Sequence, residues 1–334
     1  MQSKLSTKVP MVVAALVAAI AWAAPAAAGA PADLNVNADS PLVTPDVTVT
    51  PPRPPTEQEL AGDSLAQFVA HHATTHYVST DTVGNLARWR GGKQSICPLT
   101  VGLSPGLNAF VTARLRALAA YVGAPVQSDT QCKANVQIVF TNKPQEKMDD
   151  IIKWATVYFR NRYSGGMKDL IKFRGDHAIQ GWYMTTTGGG IVLNADVSLV
   201  GLNVLPVWPQ ITERYVASGT TGTRLGGGSG SGSGIGIVIV IVDTTKVAGA
   251  TIGTISDNVA MLTLSVAQSP DHCDPLPSIL DLMSSSCGAR EMPVAVTAGD
   301  LAFLKALYYR NTGQGSSMSR DEIQANMMQQ FKGR

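Results

Sequence analysis

The run IGIVIVIVD at 235–243 constrains this chain more than any other stretch. It is continuous, apolar and dense in β-branched residues, and it is too short to cross a membrane as a helix. It reads as a buried strand, which needs other elements to cover it. Ahead of it, GGGSGSGSG at 226–234 has a composition that cannot pack a core and reads as a flexible loop. Behind it, residues 254–267 have helical apolar spacing, with Val259, Leu262 and Val266 on one stripe. A buried strand followed by an apolar helix fits an α+β fold.

The remaining elements carry their own start and stop signals. Thr56-Glu57-Gln58-Glu59 has the form of a capping box, so order is expected to begin at Thr56, with Leu65, Phe68, Val69, His72 and His76 on one helical face. Ser104 and Pro105 open a second helix whose stripe is Leu107, Phe110, Val111, Leu115 and Leu118, and Gly123 ends it. NVQIVFT at 135–141 alternates as a strand with Val136, Ile138 and Phe140 on one face. A third helix is expected from about 142 to Gly165-Gly166, burying Met148, Ile151, Ile152, Ala155 and Phe159. Residues 178–205 read as strands, IQGWYMTT and GGIVLNADVSLVGL being the clearest. Thr297-Ala298-Gly299-Asp300 and Ser319-Arg320-Asp321-Glu322 each open a closing helix, the first carrying Leu301, Leu304 and Tyr308, the second Ile323, Met327 and Phe331.

The first 28 residues read as an export signal. Lys4 and Lys8 precede an apolar stretch from Met11 to Ala23, and Ala26-Ala27-Ala28 supplies small residues for cleavage. Residues 29–55, with Pro51-Pro52 and Pro54-Pro55, read as a Pro-rich disordered linker, and 56–334 as a single globular domain. The whole chain is formally +2, and both signal lysines leave with the signal, so the mature chain is near neutral. No nucleic-acid partner and no transmembrane anchor in the mature chain are expected. The location is expected to be periplasmic or secreted, with a bacterial style of signal. Cys97, Cys132, Cys273 and Cys287 allow three pairings, and Cys97–Cys132 with Cys273–Cys287 is favoured because short loops close most easily. With no CxxC spacing, disulfides suit these residues better than a zinc site.

Few groups invite a chemical reading. His72 and His76 are four apart, so on a helix both rings would point the same way and share a metal, with His177 or Asp176 as a third ligand. The intervening HATTH lacks the Glu of a zinc protease, and the histidines lie on an apolar stripe, which favours hydrogen-bonded core histidines. Lys153, Trp154, Arg160, Arg162, Lys172 and Arg174 interleave cations with aromatic rings over 153–174, a pattern that holds an anionic polymer by charge and stacking or else covers apolar surface with long stems. Asp271-His272-Cys273-Asp274 reads as a Pro-flanked loop, and Cys273 cannot be a nucleophile if it is in a disulfide. No GxSxG elbow, phosphate loop or isolated carboxylate pair is present. No catalytic residue and no cofactor are assigned.

SPGLNAFVTARLRALAAYVGAPV followed by NVQIVFT resembles the opening helix and first strand of the zincin, metzincin-type metalloprotease fold. PSILDLM resembles its Met-turn segment, and VTAGDLAFLKALY its closing helix. The resemblance covers about 105–141 and 235–309 and extends to exported bacterial relatives of that fold. It implies an α+β fold with a zincin-like core, a mixed sheet packed by helices, with an inserted segment and supported by disulfides. It does not carry the chemistry. Laying HExxHxxGxxH on the helix puts Ser256, Ala260 and Val266 at the three ligands and Asp257 at the general-base Glu, and no histidine lies between His177 and His272 to rescue a slipped alignment. The expectation is an exported pseudoenzyme that holds a peptide or envelope polymer along a groove near 254–265. The alternatives are a hydrolase of another type, using His72/His76 or His177 with a carboxylate, and a binder of anionic envelope polymer through 153–174.

Overall fold

The structure, a computed structural model, describes residues 52–61, 63–73, 86–92, 95–129, 132–159, 177–186, 234–267, 273–284, 287–288, 292–309 and 319–332. Among these residues four strands form one mixed sheet: β1 (Pro98–Val101), β2 (Val136–Thr141), β3 (Ile179–Thr186) and β4 (Gly234–Asp243), in the spatial order β1-β2-β4-β3. β1, β2 and β4 run parallel, and β3 is antiparallel to β4 at the edge. The described helices are α1 (Ser64–His72), α2 (Pro105–Tyr121), α3 (Pro144–Phe159), α4 (Ile252–Leu264), α5 (Ala298–Tyr308) and α6 (Arg320–Lys332), with a 3-10 turn at Ile279–Met283.

The lack of alternation in IGIVIVIVD follows from this topology. β4 lies between β2 and β3, so both of its edges are paired, and helices cover both of its faces. Its Val238, Val240 and Val242 stand beside Val136, Ile138 and Phe140 of β2 and join the main core with α2 and α4. Ile239 and Ile241 are equally buried on the opposite face, outside that cluster, and α3 packs on β4 with Met148 and Ile151 buried. Each such side chain contributes about 1.5–3 kcal/mol on burial, so the run anchors the sheet from both sides. The same covering extends to β2, where Val136, Ile138 and Phe140 share the expected face and Gln137 and Val139 on the other face are buried as well.

The helix signals hold with local differences. The box at Thr56 forms, with Glu59 N–H donating to Thr56 Oγ1 at 3.2 Å and Thr56 N–H to Glu59 Oε2 at 2.7 Å. It closes a turn rather than a helix, and Arg53 binds the same carboxylate at 2.6 Å. That guanidinium, with the Thr56 N–H, holds Glu59 down at about 2. The helix itself starts at Ser64. On α2 the buried positions are Val111, Leu115, Leu118 and Ala119, while Leu107 and Phe110 are half-buried. Gly123 follows its end at φ +80°, the left-handed conformation that lets a chain leave a helix. The closing box forms as expected, with Asp300 N–H donating to Thr297 Oγ1 at 3.1 Å and Thr297 N–H to Asp300 Oδ2 at 2.9 Å. The cysteines pair as Cys97–Cys132 and Cys273–Cys287. The expected strand in GGIVLNADVSLVGL, the Gly/Ser loop before Gly234 and the end of the third helix at Gly165-Gly166 lie outside the described residues.

Two glycines test the packing in opposite directions. Gly102, after β1, has φ +99° and a Cβ there would overlap the Phe140 carbonyl of β2. Gly102→Ala is expected to cost roughly 3 kcal/mol or more through strain and displacement of β1. Gly253, in the first turn of α4, has room for a Cβ, and Gly253→Ala is expected to add about 0.5–1 kcal/mol. Chemical denaturation of both variants checks the pair.

Candidate functional site

Helix α4 is buried on every face from Thr254 to Leu264. Each of its polar groups must therefore find a partner inside the protein. Thr251 caps the start, accepting the Thr254 N–H at 3.2 Å. At the other end the last turn has no basic side chain; the helix's own cap residue fills one carbonyl, and side chains from elsewhere fill the next three. Met261 O accepts the Ser265 N–H at 3.1 Å and its hydroxyl at 2.7 Å. Leu262 O accepts Tyr183 Oη–H at 2.8 Å, Thr263 O accepts Trp89 Nε1–H at 2.9 Å, and Leu264 O accepts Tyr308 Oη–H at 2.7 Å. These donors come from β3, the 86–91 segment and α5. Burial pushes both phenols up, which keeps them protonated donors.

The positions that the zincin resemblance assigns to a metal carry other work. Ser256 is fully buried and its hydroxyl donates to Ile252 O at 2.6 Å, Ala260 is core, and Val266 is buried. Asp257, at the general-base position, meets Arg114 of α2 two ways, Nε to Oδ1 at 2.6 Å and Nη2 to Oδ2 at 3.0 Å. Val296 N–H adds a third bond to Oδ2 at 3.1 Å. With donors on both oxygens, Asp257 ties α2, α4 and the segment before α5 together.

A second polar cluster joins α1 to the 273–284 segment and α5. His71 Nδ1 lies 2.6 Å from Asp274 Oδ1. His72, stacked on Phe68 at 3.9 Å between ring centres, places Nδ1 2.8 Å from Phe68 O and Nε2 2.9 Å from Ser278 Oγ. Ser278 Oγ donates to Asp300 Oδ1 at 2.7 Å, and Asp300 Oδ2 accepts the N–H groups of Ile279 and Thr297 at 2.8 and 2.9 Å. Burial pushes the Asp300 carboxyl up and the His72 imidazole down. A hydroxyl against an imidazole has the contact of a nucleophile and its base. Here, however, the carboxylate sits on the hydroxyl and not on the ring, and Ser278 is 0% exposed.

The structure distributes the sequence-derived candidates unevenly. His72 belongs to this cluster, and with both ring nitrogens hydrogen-bonded it offers a metal no lone pair. His177 stands just before β3, its carbonyl accepting from Gln180 Nε2 at 3.1 Å. Lys153 and Trp154 lie on α3, but their side chains, like His76, Asp176, Arg160, Arg162, Lys172 and Arg174, fall outside the described residues. Among the described residues the one group of three metal-capable side chains is Cys273, Asp281 and Cys287, and its two cysteines are bonded to each other. Arg114, Ser278 and Asp300 are the residues that sequence reasoning passed over as site members. For Arg114 and Asp257 the available signal was opposite charges on two otherwise apolar helical stripes.

Removing one partner of a buried ion pair strands the other charge. Arg114→Ala is expected to destabilise the protein by about 3–5 kcal/mol, and the Arg114→Met/Asp257→Leu double variant by clearly less. Denaturation of both variants measures this. A cost under about 1 kcal/mol for Arg114→Ala would mean that Asp257 is not held as described.

No protein-family model, no curated protein and no solved structure matches the chain. A functional reading rests on the geometry and chemistry described above.

Proposed function

We propose that this protein is an exported, non-hydrolytic binding module on a zincin-like scaffold, periplasmic or secreted, whose partner is a peptide or envelope polymer in extended form. One observation carries the reading: the helix in the place of a metal-binding helix is buried throughout and holds a locked Arg114–Asp257 pair. The order of elements supports the scaffold. The stretches resembling an opening helix, first strand, Met-turn segment and closing helix stand as α2, β2, the 3-10 turn and α5. Two disulfides suit an oxidising compartment, and no described helix is long and apolar enough to cross a membrane.

The burial of 254–264 moves the binding surface away from α4 itself. β3 supports a different place for it. Among the described residues it is the antiparallel edge of the sheet, and an edge strand offers backbone donors and acceptors to an extended chain.

Fluorescently labelled casein, an unstructured polypeptide, serves as substrate and ligand in one experiment. The expected result is a rise in anisotropy with no release of soluble fluorescent fragments, unchanged by a chelator. Release of fragments that a chelator stops would overturn the non-hydrolytic reading, and no anisotropy change would overturn the binding one.

A further inference from the structure

The hydrogen bonds between His72, Ser278 and Asp300 do not balance with the usual protonation states. Phe68 O can only accept, so the 2.8 Å contact with His72 Nδ1 requires a hydrogen on Nδ1. A neutral ring then has a bare Nε2. Two short contacts remain in line, Nε2 to Oγ at 2.9 Å and Oγ to Oδ1 at 2.7 Å. Each needs one hydrogen, and the Ser278 hydroxyl has one to give. The Leu280 N–H reaches Oγ at 3.1 Å from the side and supplies neither contact. Asp300 Oδ2 is already taken by two backbone N–H groups. An ionised Asp300 beside a neutral His72 would leave two lone pairs facing each other at hydrogen-bond distance among residues no more than 4% exposed.

We propose that His72, Ser278 and Asp300 hold one additional proton in common, and that this proton is a pH-sensitive latch fastening α1 to the Ser278 turn and α5. It has two resting places. On His72 Nε2 it makes an imidazolium–hydroxyl–carboxylate line, and on Asp300 Oδ1 an imidazole–hydroxyl–carboxylic acid line. A two-step relay converts one into the other: Nε2 gives its proton to Ser278 Oγ as Oγ gives its own to Asp300 Oδ1, which leaves the hydroxyl pointing the opposite way. Both fill the two contacts, and both give the trio zero net charge, which a buried site favours. Burial, which raises Asp300 and lowers His72, favours the placement on Asp300.

Among the described residues the charged neighbours of the trio are engaged with other groups. From the 273–284 segment, Asp274 faces His71 at 2.6 Å and His72 Nδ1 at 3.9 Å, and Asp281 accepts the Ser278 N–H at 3.0 Å. From α6, Arg320 donates to Ala73 O at 2.8 Å just beyond α1. Phe68 and Phe303 line the remaining sides of the ring.

Proton counting gives the sign. The unfolded chain titrates these groups near 3.8 and 6.5. Between those values both states hold one proton, and stability is flat with respect to this site. Above 6.5 the unfolded chain holds none while the folded trio holds one, so stability falls as pH rises until the latch itself deprotonates. Below 3.8 the unfolded chain holds two, so stability falls again.

Asp300→Asn replaces the shared proton with an amide hydrogen that does not titrate, because the amide can donate to Ser278 Oγ and still accept the two backbone N–H groups. The experiment is chemical denaturation of the full chain and of this variant from pH 6.5 to 9. The unfolding constant of the unsubstituted protein is expected to rise relative to the variant by up to about tenfold per pH unit. Parallel curves for the two proteins would overturn the proposal. If the variant does not fold, the native protein answers directly at pH 8 by imidazole nitrogen NMR and carboxyl infrared spectroscopy. Either an imidazolium at His72 or a protonated carboxyl at Asp300 supports the latch, and a neutral His72 beside an ionised Asp300 overturns it. This inference does not depend on what the protein binds.

Discussion

Complete burial of α4 is the constraint on which the other elements depend. A helix enclosed from Thr254 to Leu264 cannot leave its C-terminal carbonyls to water. Tyr183, Trp89 and Tyr308 answer that need from three separate parts of the chain. Each is a large aromatic side chain with a single polar tip, so it fills core volume and satisfies one carbonyl at once. The position of β3 against β4, the path of the 86–91 segment and the docking of α5 are thus coupled through one helix end. Arg88, buried in the same segment, donates to Leu307 O at the end of α5 and joins that helix to the start of β4.

Two polar clusters then decide how the C-terminal half closes. The Arg114–Asp257 pair reaches the backbone at Val296, and the His72–Ser278–Asp300 line reaches Thr297 and Ile279. Both therefore act on the start of α5, one from α2 and one from α1. Cys273–Cys287 closes a short loop around Asp274, Ser278 and Asp281, which restricts the segment before those side chains engage. Such buried networks cost little when every member is partnered and a great deal when one is lost.

Much of the scaffold was legible from local signals. IGIVIVIVD implied a covered strand, Ser104-Pro105 and Thr297–Asp300 marked helix starts, and loop closure favoured the two observed disulfides. Burial on the second face was not legible. Period-two alternation set Val136, Ile138 and Phe140 on one face but does not report what helices cover, so it gave no sign that Gln137 is buried on the other. The candidate site was harder still. Asp300 announces itself as a cap three residues after Thr297, and that local role hides its bond to a serine 22 residues away. Ser278 and His72 lie 206 residues apart, a pairing that periodicity on either segment cannot reveal. Asp257 in an apolar helix is an anomaly in the sequence, but its partner is set only when α2 docks on α4.

The central claim is that α4 is a structural helix, closed at both ends and inseparable from the core. Native-state hydrogen exchange of the amides in 256–264, compared with those of β4, tests it most directly. The account predicts that both sets exchange only through global unfolding, with the same free energy and the same denaturant dependence. Exchange of the α4 amides through a smaller, separate opening would contradict it, because a helix that opens alone is not held by Tyr183, Trp89, Tyr308 and Arg114 together.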